Sequence, residues 1–208
     1  MVQSKQIPCF CIEPVISILC PGVNRLSHGG GKGMCSNTKK KIAQALRLLM
    51  ADRSFDRITV QNLMDTTQMK RQSFYYHFQD TRDVLMWICR QEVMEPLRTS
   101  ALDFEDWMIL ALELLNSDLN FYRKLLKAAS FDFLREFDAI LEPRMLAMLY
   151  PGRTAAQLSD NQRFALDFFT QAVCVRMIRF VNDREPFDPT DIRVRVEYLS
   201  RAFSNVNL

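Results

Sequence analysis

Apolar residues recur at the 3.6-residue spacing of an amphipathic helix from Ile42 to Phe203, and no stretch alternates as a half-buried strand would. This confines the chain to an all-α fold. Ile42, Ala45, Leu46, Leu49 and Met50 form one apolar stripe, with Ser36, Asn37 or Thr38 available as N-cap, so a first helix is expected to about residue 53. Thr59 is a favourable N-cap for a short second helix over about residues 60–66, carrying Val60, Leu63 and Met64 on one side. A polar break at Thr67-Gln68 precedes a third helix over about residues 70–78.

Three helices, the last two short and joined by a tight turn, predict a helix-turn-helix unit. In the third, Phe74 and Phe78 are four apart and should anchor one face to the core. Lys70, Arg71, Gln72 and Ser73 then project. These side chains suit phosphates and base edges, and the hydroxyls of Tyr75 and Tyr76 and the imidazole of His77 can add phosphate contacts.

The charge distribution agrees. Residues 36–85 carry nine Lys/Arg against five acids, whereas residues 86–208 carry fifteen against eighteen. A basic head on an acidic body suits contact with a polyanion, since phosphate neutralisation supplies most non-specific nucleic-acid affinity.

Residues 1–33 lack helical period, contain Pro8, Pro14 and Pro21, and end in Gly29-Gly30-Gly31-Lys32-Gly33. Glycine and lysine codons are purine-rich, so this stretch reads as a non-native or disordered leader before a natural start at Met34. Six irregularly spaced cysteines with no C-x-x-C pair, and only two histidines, predict no metal site and no cofactor. Cys89 and Cys174 are expected as buried free thiols in a reduced, cytoplasmic protein. No apolar run approaches the ~20 residues of a bilayer span, so no membrane partner is expected. Without a glycine-rich phosphate loop or a Ser-His-Asp order, catalytic residues are expected to be absent.

The segment from Thr59 through Lys70-Arg71-Gln72-Ser73-Phe74-Tyr75-Tyr76-His77-Phe78 to Val84-Leu85 resembles the DNA-binding domain of the TetR family. The resemblance implies that Thr59 caps helix 2 and touches a phosphate. It implies that Lys70, Arg71 and Gln72 enter the major groove while Ser73, Tyr75 and His77 grip the backbone. Three positions depart from the pattern: Met64 replaces a small residue, Gln68 the turn glycine, and Thr81 a lysine opening helix 4, for which Arg82 could substitute. The same segment, with Asn120-Phe121-Tyr122-Arg123-Lys124-Leu125-Leu126, is also similar to a subgroup related to the activator of dihydroxyacetone-kinase operons, in which a partner protein can carry the signal.

Beyond the head, helices are expected over about residues 83–99 (bent or ended by Pro96), 104–116, 119–129, 131–149, 160–182 and 190–204. Residues 164–181 are apolar on nearly every side, so that helix should be covered by more than its own domain. With the last helix it is the expected two-fold dimer surface, through Phe164, Phe168, Phe169, Val173, Met177 and Leu199. Arg176 and Arg179 on the same helix could anchor an anionic effector.

The resulting organisation is a leader over 1–33, a helix-turn-helix DNA-binding domain over 34–82, and an effector-sensing and dimerisation bundle over 83–208. The expected function is that of a homodimeric transcriptional regulator, a repressor in the first instance, on a near-palindromic double-stranded operator and switched by a small-molecule or protein effector. The alternatives are an activator controlled by a partner protein and a helical interaction module that does not bind DNA.

Overall fold

A computed structural model describes residues 32–183 and 188–205. The leader expected over residues 1–33 lies outside the described residues apart from Lys32 and Gly33, which open the first helix. Every regular element among the described residues is helical.

The head consists of α1 (Lys32–Asp52), a 3-10 turn (Phe55–Arg57), α2 (Val60–Thr67) and α3 (Arg71–Tyr75). The chain then enters α4 (Thr81–Cys89), capped by the Asp80 carboxylate, which accepts from Asp83 N at 2.8 Å. A π-helical stretch (Arg90–Met94) leads into α5 (Glu95–Thr99). Pro96 lacks the N–H that would close an α turn, and the preceding turn widens so that Glu95 N–H reaches Arg90 O. Pro96 therefore widens the helix, which ends only at Thr99.

The body continues with α6 (Phe104–Asn116), α7 (Leu119–Leu149), α8 (Asp160–Asp183) and α9 (Pro189–Asn205). The two helices expected over 119–129 and 131–149 are one element broken by a kink, at which Ala129 leaves helical geometry (φ −144°, ψ 39°). α8 packs along α7, whereas α9 rests on α6 and α7, with Val196 buried and Arg193 paired to Asp106 at 2.5 Å.

The core is continuous from head to body. Ile42, Leu46 and Met50 of α1, Leu63 of α2, Phe74 of α3 and Leu85 of α4 join Trp107, Tyr122, Phe133 and Phe137 in one buried cluster. Trp107 is fully enclosed and donates its indole N–H to Leu97 O at 2.9 Å, so its one polar atom is satisfied. Phe133 and Phe137 stack at 5.6 Å and fill the middle of the body. The boundary expected at residue 82 falls in the first turn of α4, which packs on α1 and on α7 and so belongs to both halves.

Polar clamps across this joint were not legible in the sequence. Arg47, expected on the outer face of α1, is half-buried: its guanidinium binds Glu92 and Asp118 and lies 4.1 Å from the Phe121 ring centroid. Tyr122 OH donates to the same Glu92 at 3.0 Å. Arg90 holds Glu136 through paired N–H···O bonds of 2.8–3.0 Å. Arg82, expected to replace a missing phosphate contact, instead donates to Ala128 O at 2.6 Å and pairs with Asp132 at 3.4 Å. The carbonyl it takes lies beside the kink, so Arg82 is committed to the body.

Candidate nucleic-acid interface

The local chemistry that builds the head starts at Thr59. Its hydroxyl accepts from Asn62 N at 3.2 Å, and Asn62 Oδ1 accepts from Thr59 N at 3.0 Å, a reciprocal cap that fixes the start of α2. The helix ends where Gln68 takes the left-handed conformation (φ 54°, ψ 34°). Met69 N–H then reaches back to Met64 O at 3.2 Å. This is the turn that the family pattern fills with glycine. Met64, the other departure in α2, is buried and packs into the core.

The left-handed region costs a non-glycine residue roughly 1–2 kcal/mol, while glycine loses roughly 0.5–1 kcal/mol in chain entropy. Gln68→Gly is therefore expected to stabilise the protein by about 0.5–1 kcal/mol. The measurement is the urea midpoint, and a lower midpoint in the variant would mean that Gln68 contributes an interaction the turn geometry does not reveal.

From the turn, Lys70 is extended (φ −73°, ψ 142°) and leads into α3. Phe74 and Phe78 are buried, as their spacing predicts, with ring centroids 5.9 Å apart. Their burial decides what faces outward. Lys70, Arg71 and Gln72 are exposed at the start of the helix, Tyr75 and Tyr76 are exposed along it, and Ser73 and His77 are half-buried at its flanks. The helix is shorter than expected, and residues 76–78 turn away towards α4.

Within this surface Arg71 is partly pre-positioned. It donates to Tyr75 OH at 3.1 Å and lies over the Tyr75 ring at 5.6 Å, an i, i+4 pair that holds the guanidinium against the helix. The Tyr76 and His77 rings meet edge to face at 4.9 Å. On α1, Lys39 sits 5.4 Å over the Phe78 ring while Lys40 and Lys41 are exposed.

The pairing of charge separates the two halves. Among the described residues, Lys40, Lys41, Lys70 and Arg71 form no ion pair. In the body, Arg82, Arg90, Arg98, Arg135, Arg193, Arg195 and Arg201 each hold a carboxylate. The uncompensated positive charge thus lies on the face bearing α3 and the start of α1.

Nothing in the geometry suggests a reactive centre. The Cys89 thiol is pushed well above its usual range by burial and by Glu136 and Glu92. Burial, with Asp138 nearby, pushes the Cys174 thiol up to about 12. Both are buried free thiols, as the sequence predicts, and neither is a thiolate near neutral pH. Among the described residues no cluster of His, Cys, Asp and Glu could hold a metal, and no helix is long and apolar enough to cross a membrane.

The residues expected at a dimer surface divide. Phe164 (71 % exposed), Phe168 (59 %) and Leu199 (45 %) are largely open. Phe169 and Val173 are half-buried against the core. Met177 is not on this surface at all, because it points into the protomer and is 2 % exposed. Val175, Val194 and Tyr198, which the sequence reading did not single out, are exposed beside the first group. Arg176 and Arg179 lie on the exposed side of α8 and face no pocket.

A three-helix head with a left-handed turn before α3, continuous with a kinked helical body, is the fold of the TetR-family transcriptional regulators. No protein-family model matches the chain. The dhaKLM operon transcriptional activator DhaS of Lactococcus lactis is 32 % identical over 91 residues, 42 % of this chain and 48 % of that protein. The alignment thus spans about half the length of this curated relative. A solved structure of the dihydroxyacetone kinase operon activator DhaS superposes with a TM-score of 0.59 at 22 % identity, covering 79 % of this chain and 94 % of that one. A TetR regulator from Streptococcus agalactiae superposes at 0.62 with 19 % identity, covering 83 % and 96 %. These proteins carry the names of transcriptional regulators, not of enzymes.

Proposed function

We infer that the chain is a sequence-specific DNA-binding regulator that works as a homodimer, with α3 in the major groove. One observation carries this reading: Lys70, Arg71 and Gln72 are exposed and free of counter-ions on a short helix anchored from behind by Phe74 and Phe78. Lys and Arg at such positions donate to phosphates or to guanine, Gln bridges adenine, and Thr59, Ser73, Tyr75, Tyr76 and His77 surround them with groups suited to phosphates. A five-residue helix reads too few base pairs for specificity, so two heads held about 34–36 Å apart must read two half-sites. The open face of Phe164, Phe168, Val175, Val194, Tyr198 and Leu199 is the surface that would join them. Such a regulator works in the cytoplasm, beside its operator.

Repression follows if the operator overlaps the promoter, and an effector that alters the spacing of the heads would relieve it. Activation is the second reading, and the 91-residue match to the activator DhaS favours it. Both readings use the same interface.

The experiment is substitution within the interface. Lys70→Ala and Tyr75→Ala are expected to weaken binding to a selected operator by about 1–3 kcal/mol each while leaving the melting temperature unchanged, because both side chains face solvent. Variants that lose stability in proportion to binding would place these residues in the core and refute the assignment.

A further inference from the structure

An open cleft of about 680 Å3 lies between the first half of α7 and the end of α8. Its apolar part is Leu126 and Leu134 of α7 and Ile178 of α8; its polar part is Arg123, Lys124 and Lys127, with no carboxylate in the lining. Three cations within five residues, two of them an i, i+4 pair of like charge, repel one another and destabilise an isolated helix.

The three are held differently. The Arg123 guanidinium is fixed by bonds of 3.2 and 3.0 Å to Val181 O at the end of α8. The Lys124 ammonium donates to Met50 O and to Ala51 O (3.2 Å), in the last turn of α1. Lys127 is exposed, with no carboxylate partner among the described residues. The body's centre, in contrast, is filled by Trp107, Phe133 and Phe137.

We propose that this cleft binds an amphipathic anion, a short aliphatic body ending in a carboxylate or phosphate, with Leu126, Leu134 and Ile178 against the aliphatic part and Lys127 and Lys124 on the charge. The volume lies within the range of small-ligand sites, which combine an apolar lining with a few convergent polar groups. An anion here relieves the repulsion among the cations. It also competes for the ammonium of Lys124, which otherwise caps the end of α1, and so connects the cleft to the head. The connection to DNA rests on the regulatory reading above; the binding itself does not.

The test is calorimetry on the full chain with three probes: octanoate, its neutral isostere octanamide, and inorganic phosphate. Octanoate is expected to bind once per chain, at least about tenfold more tightly than octanamide or phosphate. Lys127→Gln should weaken it about fivefold, the scale of one exposed charge pair, and Ile178→Glu should abolish it. Lys127 faces solvent, so its variant keeps the fold, and a melting curve checks this for Ile178→Glu. No octanoate binding, equal binding of octanoate and octanamide, phosphate as tight as octanoate, or octanoate unaffected by both variants would each overturn the proposal. In a parallel assay octanoate should shift operator affinity in the wild type and not in Lys124→Met. A chain that binds octanoate in the cleft but never binds a duplex would overturn the regulatory reading and leave the cleft site standing.

Discussion

Phe74→Ala lowers the melting temperature by about 6–20 °C and abolishes operator binding. Phe74 is fully buried, meets Phe78 at 5.9 Å and Tyr75 edge to face at 5.4 Å, and is the main attachment of α3 to the core. Truncating a buried Phe costs about 3–5 kcal/mol, and in a chain of this size each 1 kcal/mol moves the midpoint by about 2–4 °C. The stability of a whole domain is only about 5–15 kcal/mol, so the head has little surplus to absorb the loss. The neighbouring Tyr75→Ala is the control: half-exposed, it should cost binding without a comparable shift in midpoint. The measurement is thermal unfolding followed by circular dichroism, with duplex binding on the same samples. A Phe74→Ala protein that melts with the wild type and still binds would mean that the two faces of α3 are reversed.

The double variant Phe164→Asp, Phe168→Asp is expected to be a folded monomer with little operator affinity. Both rings stack on one another, with centroids 6.4 Å apart, on the exposed side of α8, so charging them leaves the protomer's own core intact. In a two-fold pairing each ring meets the partner's copy of the same surface, and introduced carboxylates would be buried against like charges. Burying one Phe is worth about 1.5–3 kcal/mol. Losing two rings from each protomer should therefore raise the dimer dissociation constant at least about a thousandfold, roughly 4 kcal/mol. Phe169 and Val173 are poorer targets, because both pack partly on the protomer's own core and their loss would mix folding with assembly. Sedimentation of the wild type and the variant decides the matter: a dimer that survives the double substitution would move the interface elsewhere.

The head was legible because its determinants are local. The Thr59 cap, the Phe74–Phe78 spacing and the polar break at Gln68 each act over fewer than five residues, and each appears where the sequence places it. The break between residues 129 and 131 was legible as an interruption of period, but not as a kink within one continuous element. Met177 was assigned to the wrong side because α8 is apolar on almost every face, so period alone does not distinguish the core from the open surface. The clamps between head and body left no trace in any local window. Arg47 meets Glu92 and Asp118 across 45 and 71 residues, and Lys124 reaches back 74 residues to Met50 O. Arg82 appeared available for a phosphate only because the carbonyl that holds it, Ala128 O, lies 46 residues away.

The central claim is that the unpaired cations around α3 bind duplex DNA, and its most direct measurement is the salt dependence of binding to a generic duplex by the full chain. Each neutralised phosphate releases condensed counter-ions, so a dimer making about 6–10 such contacts should lose roughly 10³–10⁵ in affinity between about 50 and 200 mM salt. Lys70→Ala should flatten the slope by about one contact per protomer. A chain that fails to bind at about 50 mM salt, or whose binding does not respond to salt, would contradict the account.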